Sequence, residues 1–152
     1  MRITILAVGK IRHGIFNQLY EHYASRLRWE VILHEIEPIS QKNPHERRKD
    51  EAIRLLTLVP EKAQIITLDE SGKIKSSREL ASWVGSRIEE GIKDICLIIG
   101  GAQGLDPHIL YKSHLILALG RATWPHLLVR GMITEQFYRI QQILSGHPYH
   151  KD

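Results

Sequence analysis

An α/β domain with a mostly parallel sheet flanked by helices is the fold this sequence predicts, and three observations predict it. Strand-like and helix-like segments alternate along the whole chain, the pattern of successive βα units. Residues 95–99 (ICLII) are apolar without alternation, which suits a strand covered on both faces; a half-exposed strand would alternate. The chain has 152 residues, a length that folds as one domain and buries roughly 68–70% of its unfolded surface without a disulfide or metal staple.

Taken in order, residues 2–8 alternate around Ile3, Ile5 and Ala7 and predict a first strand, ended by Gly9. Phe16, Tyr20, Tyr23 and Leu27 share one face of a helix. Residues 31–36 predict a second strand. The polar segment 40–50 mixes Lys42, Arg47, Arg48 and Lys49 with Glu46 and Asp50, and Glu51 follows. It reads as a solvated loop and first helical turn in preference to an RNA-contacting patch. A helix then covers 44–58, with Ile53, Leu56 and Leu55 expected inward. Residues 63–68 form a third strand, followed by a turn over 69–73. Ser71-Gly72-Lys73 is not a phosphate-binding P-loop, because Ile74 follows the lysine and the glycine spacing is wrong.

Ser76 or Ser77 caps the next helix, with Leu80, Val84 and Ile88 inward and Gly91 at its end. After the strand over 95–99 comes a short helix over 107–112 and a buried strand over 114–119. Pro125 suits the first position of the last helix, which runs to Leu144 and is stopped by Gly146. No internal repeat or linker interrupts the pattern.

Composition bounds the function. The chain is 43% hydrophobic and 25% charged, with net charge +4 and a pI near 9.3, which permits an anionic partner such as RNA. Cys96 is the one cysteine, so no internal disulfide forms and a reducing compartment is expected. Inside an apolar strand Cys96 reads as a small core residue. The N-terminus is too short for a signal-peptide core, and no apolar run approaches the roughly 20 residues that span a bilayer. A cytoplasmic protein with no membrane partner is expected.

The site is expected where buried strands end in loops of unusual composition. In open α/β sheets ligands bind at the carboxyl ends of the strands. If strands 63–68, 95–99 and 115–119 are parallel neighbours, Leu68, Gly100 and Leu119 meet at one edge. Gly100, Gly101 and Gly104 let a ligand approach the backbone closely, and a side chain at Gly100 is expected to fill that space. The loop after Leu119 adds backbone donors and acceptors and the Trp124 side chain, suited to holding an adenine. The glycine spacing is not that of a dinucleotide fold. Spacing alone leaves a nucleotide site and three plain sheet turns both open.

Six motifs in order carry a resemblance: 5–10 (ILAVGK), 66–69 (ITLD) with Gly72-Lys73, 99–105 (IGGAQGL), 123–126 (TWPH), 135–139 (EQFYR) and 147–151 (HPYHK). Together, from Met1 to Asp152, the chain resembles the SPOUT class of methyltransferases, whose C-terminal part is a trefoil knot. More closely, it is similar to those members that modify 23S rRNA. Threaded chains are rare, so pattern alone points to an unknotted sheet, and the knot is an implication of the resemblance. The resemblance also implies methyl transfer from S-adenosylmethionine to N3 of a pseudouridine in helix 69 of 23S rRNA in the assembled ribosome, and a homodimer. Its implied cofactor contacts are Leu68, Gly100, Leu119, Gly120, Arg121, Ala122, Thr123 and Trp124.

The acceptor of that reaction is an imide nitrogen, poorly nucleophilic while protonated. The enzyme must hold it about 3–3.5 Å from the methyl carbon and help remove or disperse its proton. No metal is needed. Arg130, Glu135, His147, Tyr149 and His150 are the polar residues expected to reach the cofactor mouth. His147 and His150 lack a further ligand cluster, and Pro148 breaks helical presentation, so they are not read as a metal pair. His22, His34 and His126 receive structural or solvent-facing readings, and Arg139 can pair with Glu135 four residues earlier. A methyltransferase acting on tRNA and a non-catalytic RNA- or nucleotide-binding module are the alternatives; the lack of an additional RNA-binding domain favours a substrate presented by the ribosome.

The last helix carries two apolar faces. Val129, Met132, Ile133, Phe137, Ile140, Ile143 and Leu144 share one, and Leu127, Leu128 and Tyr138 flank Gly131 and Thr134 on the other. The first face is expected on the sheet and the second against a two-fold partner, an overlying loop of the same chain being the alternative.

Overall fold

The computed structural model describes residues 1–40 and 43–151. Lys42 of the polar segment and Asp152 of the tail therefore lie outside the described residues. The order is β1 (Arg2–Val8), α1 (Ile15–Ala24), β2 (Glu30–Ile36), α2 (Pro44–Thr57), β3 (Gln64–Ile74), α3 (Ser77–Glu89), β4 (Asp94–Ile99), α4 (Pro107–Lys112), β5 (Leu115–Ala118) and α5 (His126–Leu144). The five strands form one sheet in the order β2-β1-β4-β3-β5, and every pairing is parallel.

Strand β4 lies at the centre, and its side chains divide between two cores. Ile95, Leu97 and Ile99 join Ile3, Ile5 and Ala7 beneath α3 and α5. Cys96 and Ile98 join Leu6 and Val8 against α2 and α4. Helices on both faces explain why the run does not alternate: no position from Ile95 to Ile99 faces water. Each such side chain contributes on the order of 1.5–3 kcal/mol by burial.

Helix ends follow local chemistry. Ser76 and Glu79 form a reciprocal capping box at the start of α3: Ser76 Oγ accepts from the Glu79 amide at 3.2 Å, and the Glu79 carboxylate accepts from the Ser76 amide at 2.7 Å. The Asn43 side chain caps α2, and Gly146, at φ +68°, follows the end of α5.

Four expectations change. Ile53 is 56% exposed; Leu55 faces inward as expected, joined by Glu51 and Ala52. Glu51 is accommodated there because its carboxylate accepts from the Ile39 amide at 3.2 Å. Ile88 is exposed at the last turn of α3. Pro125 is the N-cap of α5 and His126 its first residue. The turn over 69–73 is a detour within β3: Leu68 and Lys73 both register with Leu117, and Ile74 resumes the pairing opposite Ala118. Gly72 makes the return possible, since a Cβ there would lie 2.7 Å from the Leu117 backbone.

Candidate functional site

The carboxyl ends of β4 and β5 and the start of the β3 detour at Leu68 to Glu70 open into a cleft of about 490 Å³. Its floor is apolar, from Leu68, Ile99, Leu105 and Leu117. Its rim comes from 100–104 and from Gly120, Ala122, Thr123 and Trp124. Buried parallel strands cannot vary their side chains freely, so the loops beyond their ends carry the chemistry. Gly104, at φ +74°, closes a tight turn in which its amide donates to the Gly101 carbonyl at 3.0 Å. Across the cleft, the Trp124 indole donates to the Leu119 carbonyl at 3.0 Å, which folds the 119–124 loop on itself.

Charge in the cleft is one-sided. Asp69 and Glu70 line it, and among the described residues no lysine or arginine does. Asp69 is oriented by its own turn, its Oδ1 accepting from the Ser71 amide at 2.9 Å and from Ser71 Oγ at 2.5 Å. His126 also faces the cleft, and burial, aided by the nearby Arg130 charge, lowers its pKa below the ordinary histidine value.

The residues expected to hold a cofactor converge: Leu68, Gly100, Leu119, Gly120, Ala122, Thr123 and Trp124 all line the cleft. Arg121 is exposed and does not line it. The expectation for Gly100 is corrected in its mechanism. A Cβ there would lie 2.9 Å from Leu105 Cγ and 3.1 Å from the Gly104 carbonyl, so it would push on the loop and not fill ligand space directly.

The expected acceptor-side residues group elsewhere. Glu135 Oε1 accepts from Arg139 Nη2 at 2.5 Å and from the Tyr149 hydroxyl at 3.2 Å. His150 Nδ1 lies 3.3 Å from Arg139 Nη1, and the Tyr149 ring sits between the Arg139 guanidinium and Tyr138. Burial, with hydrogen bonding to Tyr23 and the Glu135 charge, pushes the Tyr149 phenol up to about 12; it remains a donor at neutral pH. The tail is thus tethered through Tyr149 and His150, while His147 is exposed and its Nδ1 accepts from the Tyr149 amide at 3.2 Å.

Glu135 lines a second cavity of about 560 Å³, whose shared wall with the cleft is Leu117 to Gly120. Among the described residues, none of Glu135, His147, Tyr149 and His150 lines the cleft of its own chain. Arg130 is also corrected: it is 0% exposed, donates to the Val8 and Gly9 carbonyls at 2.9 and 2.7 Å, and pairs with Glu35. A guanidinium sealed in this way does not reach the cofactor mouth. His126 is the first residue of α5, as its place after Pro125 implies, and the tertiary fold brings that turn to the cleft. Asp69, the last residue of the 66–69 motif, was legible as a turn residue without its direction.

The family model for "Predicted SPOUT methyltransferase" matches residues 1–150. The chain belongs to the SPOUT methyltransferase family. A relative from Rhodospirillum centenum, named ribosomal RNA large subunit methyltransferase H, is 43% identical over 151 residues, covering 99% of each chain. Another of that name, from Rhodopseudomonas palustris, is 39% identical over 161 residues at the same coverage. Among solved structures, a probable methylase family protein from Haemophilus influenzae superposes with a TM-score of 0.60 at 13% identity, covering 99% of this chain and 70% of that one. At that identity the likeness concerns the fold. The cleft of this SPOUT chain lies at the ends of β4 and β5 and at the β3 detour. Among its described residues no helix is long and apolar enough to cross a membrane, and no group of three or more His, Cys, Asp or Glu side chains could hold a metal ion.

Proposed function

We propose that this chain methylates ribosomal RNA, using S-adenosylmethionine held in the cleft and acting on N3 of a pseudouridine in helix 69 of 23S rRNA. The observation that carries the cofactor reading is the convergence of three loops on a pocket with apolar walls and carboxylates as its charged lining. An adenosyl group fits the apolar floor and the loop rim, and a sulfonium fits a cleft lined by Asp69 and Glu70 without lysine or arginine. Leu68, Gly100, Leu119, Gly120, Ala122, Thr123 and Trp124 would hold it. When bound, the cofactor supplies an electrophilic methyl group. The family and the names of the full-length relatives support the reaction and the rRNA substrate.

The chain's own part is to orient the acceptor and manage its proton. Glu135 is engaged by Arg139 and Tyr149, and the raised Tyr149 phenol serves as a hydrogen-bond donor. His147, which accepts from the Tyr149 amide, and His150, which lies beside Arg139, are the tail groups proposed to face the acceptor. None of these residues lines the cleft of the same chain, and Glu135 lines the second cavity on the other side of Leu117 to Gly120. A homodimer in which one protomer's tail meets its partner's cleft resolves that separation, and the C-terminal trefoil knot belongs to the same reading. Cytoplasmic location follows from an rRNA substrate.

Calorimetry with S-adenosylmethionine tests the cofactor assignment; no binding to folded protein would overturn it. Mass spectrometry of rRNA and tRNA from a deletion strain tests the substrate. Loss of a methyl group on the helix 69 pseudouridine is expected, and loss confined to tRNA would overturn the rRNA assignment.

A further inference from the structure

Two arginines and three tyrosines alternate in one cluster where α1, α5 and the tail meet. The Arg139 guanidinium lies 4.9 Å from the Tyr149 ring centroid, and Tyr149 meets Tyr138 edge-on at 4.8 Å. Tyr138 lies 6.1 Å from Tyr23, and the Arg26 guanidinium lies 5.6 Å from the Tyr138 centroid, within cation–π range. The two arginines differ in one respect. Arg139 is neutralised by Glu135 at 2.5 Å. Arg26, exposed just past the end of α1, has no carboxylate partner among the described residues. Its one polar side-chain contact among them is the His22 ring, 3.3 Å from Nη1. The backbone that carries it is nevertheless fixed. The Arg26 amide donates to the Tyr23 carbonyl at 3.1 Å, and two residues on the Arg28 amide donates to Gln141 Oε1 of α5 at 3.0 Å.

We propose that Arg26, held on the face of Tyr138, binds a backbone phosphate of the substrate rRNA and docks the RNA beside the tail. The proposal rests on the rRNA reading above and deepens it by naming a contact outside the cleft. The cleft is lined by Asp69 and Glu70 and, among the described residues, by no lysine or arginine. Such a lining disfavours a phosphate backbone, so the RNA is held elsewhere. Arg26 supplies what the cleft lacks. A guanidinium presents five N–H donors in a planar fork that matches two phosphate oxygens. With its face on an aromatic ring and its edge in solvent, it loses less side-chain freedom when a phosphate arrives. The location fits the task. Tyr138 touches Tyr149, which precedes His150, so RNA held at Arg26 lies beside the tail groups that face the acceptor.

The test follows methyl transfer from labelled S-adenosylmethionine to ribosomes purified from a deletion strain, at about 50 to 200 mM KCl and constant magnesium. Arg26→Gln should raise the KM for ribosomes about five- to ten-fold at the lowest salt and leave kcat within about two-fold. The slope of log KM against log salt should flatten by about 0.7–0.9, the share of one phosphate contact. Calorimetry should give the variant the wild-type affinity for S-adenosylmethionine. Arg26→Lys keeps the charge and loses the fork, so it should restore the slope and only part of the KM. An unchanged KM in Arg26→Gln, or a loss confined to kcat, would overturn the proposal. So would a raised KM with an unchanged slope, which would give Arg26 a contact other than phosphate. A slope in Arg26→Lys as flat as in Arg26→Gln would overturn it as well. Absence of methyl transfer to ribosomes by the wild type would instead overturn the rRNA reading, and the proposal with it.

Discussion

At Arg130 a full positive charge is sealed beneath the end of β1, with Glu35 and two backbone carbonyls as its partners. Arg130→Met would leave those acceptors facing an apolar chain, and breaking such a buried pair costs about 3 kcal/mol. Urea denaturation should show that loss, and a smaller one for Glu35→Gln, which keeps an acceptor for the guanidinium. Gly100→Val should weaken S-adenosylmethionine binding by displacing Gly104 and Leu105, with a stability loss of about 1–3 kcal/mol from overpacking; calorimetry and denaturation on the same variant separate the two effects. Tyr149 offers a pH prediction. Its phenol is held protonated in the fold, so the stability it contributes is complete below the unfolded tyrosine value of about 10 and is lost as pH rises toward about 12. Spectrophotometric titration should show a phenolate component near pH 12 that disappears in Tyr149→Phe.

Among the elements, α5 departs most from expectation. Its first face packs on the sheet through Val129, Ile133, Phe137 and Ile140. Its second face was expected against a partner, yet α1 of the same chain covers part of it: a Cβ at Gly131 would lie 2.5 Å from Leu19 Cγ and Cδ2. Thr134 on that face is satisfied within the helix, its hydroxyl donating to the Arg130 carbonyl at 2.7 Å. Gly131→Trp would therefore break the monomer's own packing and does not test dimerisation. Gly131→Ala should destabilise by about 1–3 kcal/mol, and Leu19→Ala in the same chain should recover part of that loss. A denaturant double-mutant cycle showing simple additivity would contradict the contact.

For the whole molecule, the consequential feature is that none of the described tail residues lines the cleft. Removing residues 147–152 should leave S-adenosylmethionine affinity within about two-fold, since none of the described tail residues lines the cleft. Methylation of ribosomes by the truncated protein should fall to background, and full activity would assign the tail no part in the reaction. Light scattering should give a dimer at micromolar concentration. The second cavity offers exposed apolar surface for its interface at Ile74, which is 59% exposed, and Ile74→Asp should shift the equilibrium toward monomer. A wild-type monomer at that concentration would refute the composite site.

The sequence by itself determined the α/β class, the order of elements, the centrality of β4 and the three loops that form the cleft. Those properties follow from periodicity and from glycines at strand ends, which are local signals. The motifs, read in order, also pointed to the family. Tertiary structure decided what depends on direction and on distant neighbours. It turned Ile53 outward and Glu51 inward, because the helix face is chosen by what the rest of the chain offers. It drew Lys73 and Ile74 back onto β5 after a detour, because Gly72 fits against another strand's backbone. It buried Arg130, brought His126 to the cleft, and set Glu135 in the cavity beyond the wall of β5. A side chain's chemistry is written at its own position, but its partners lie as many as 122 residues away, as Arg130 and Val8 do, and only the folded sheet brings them together.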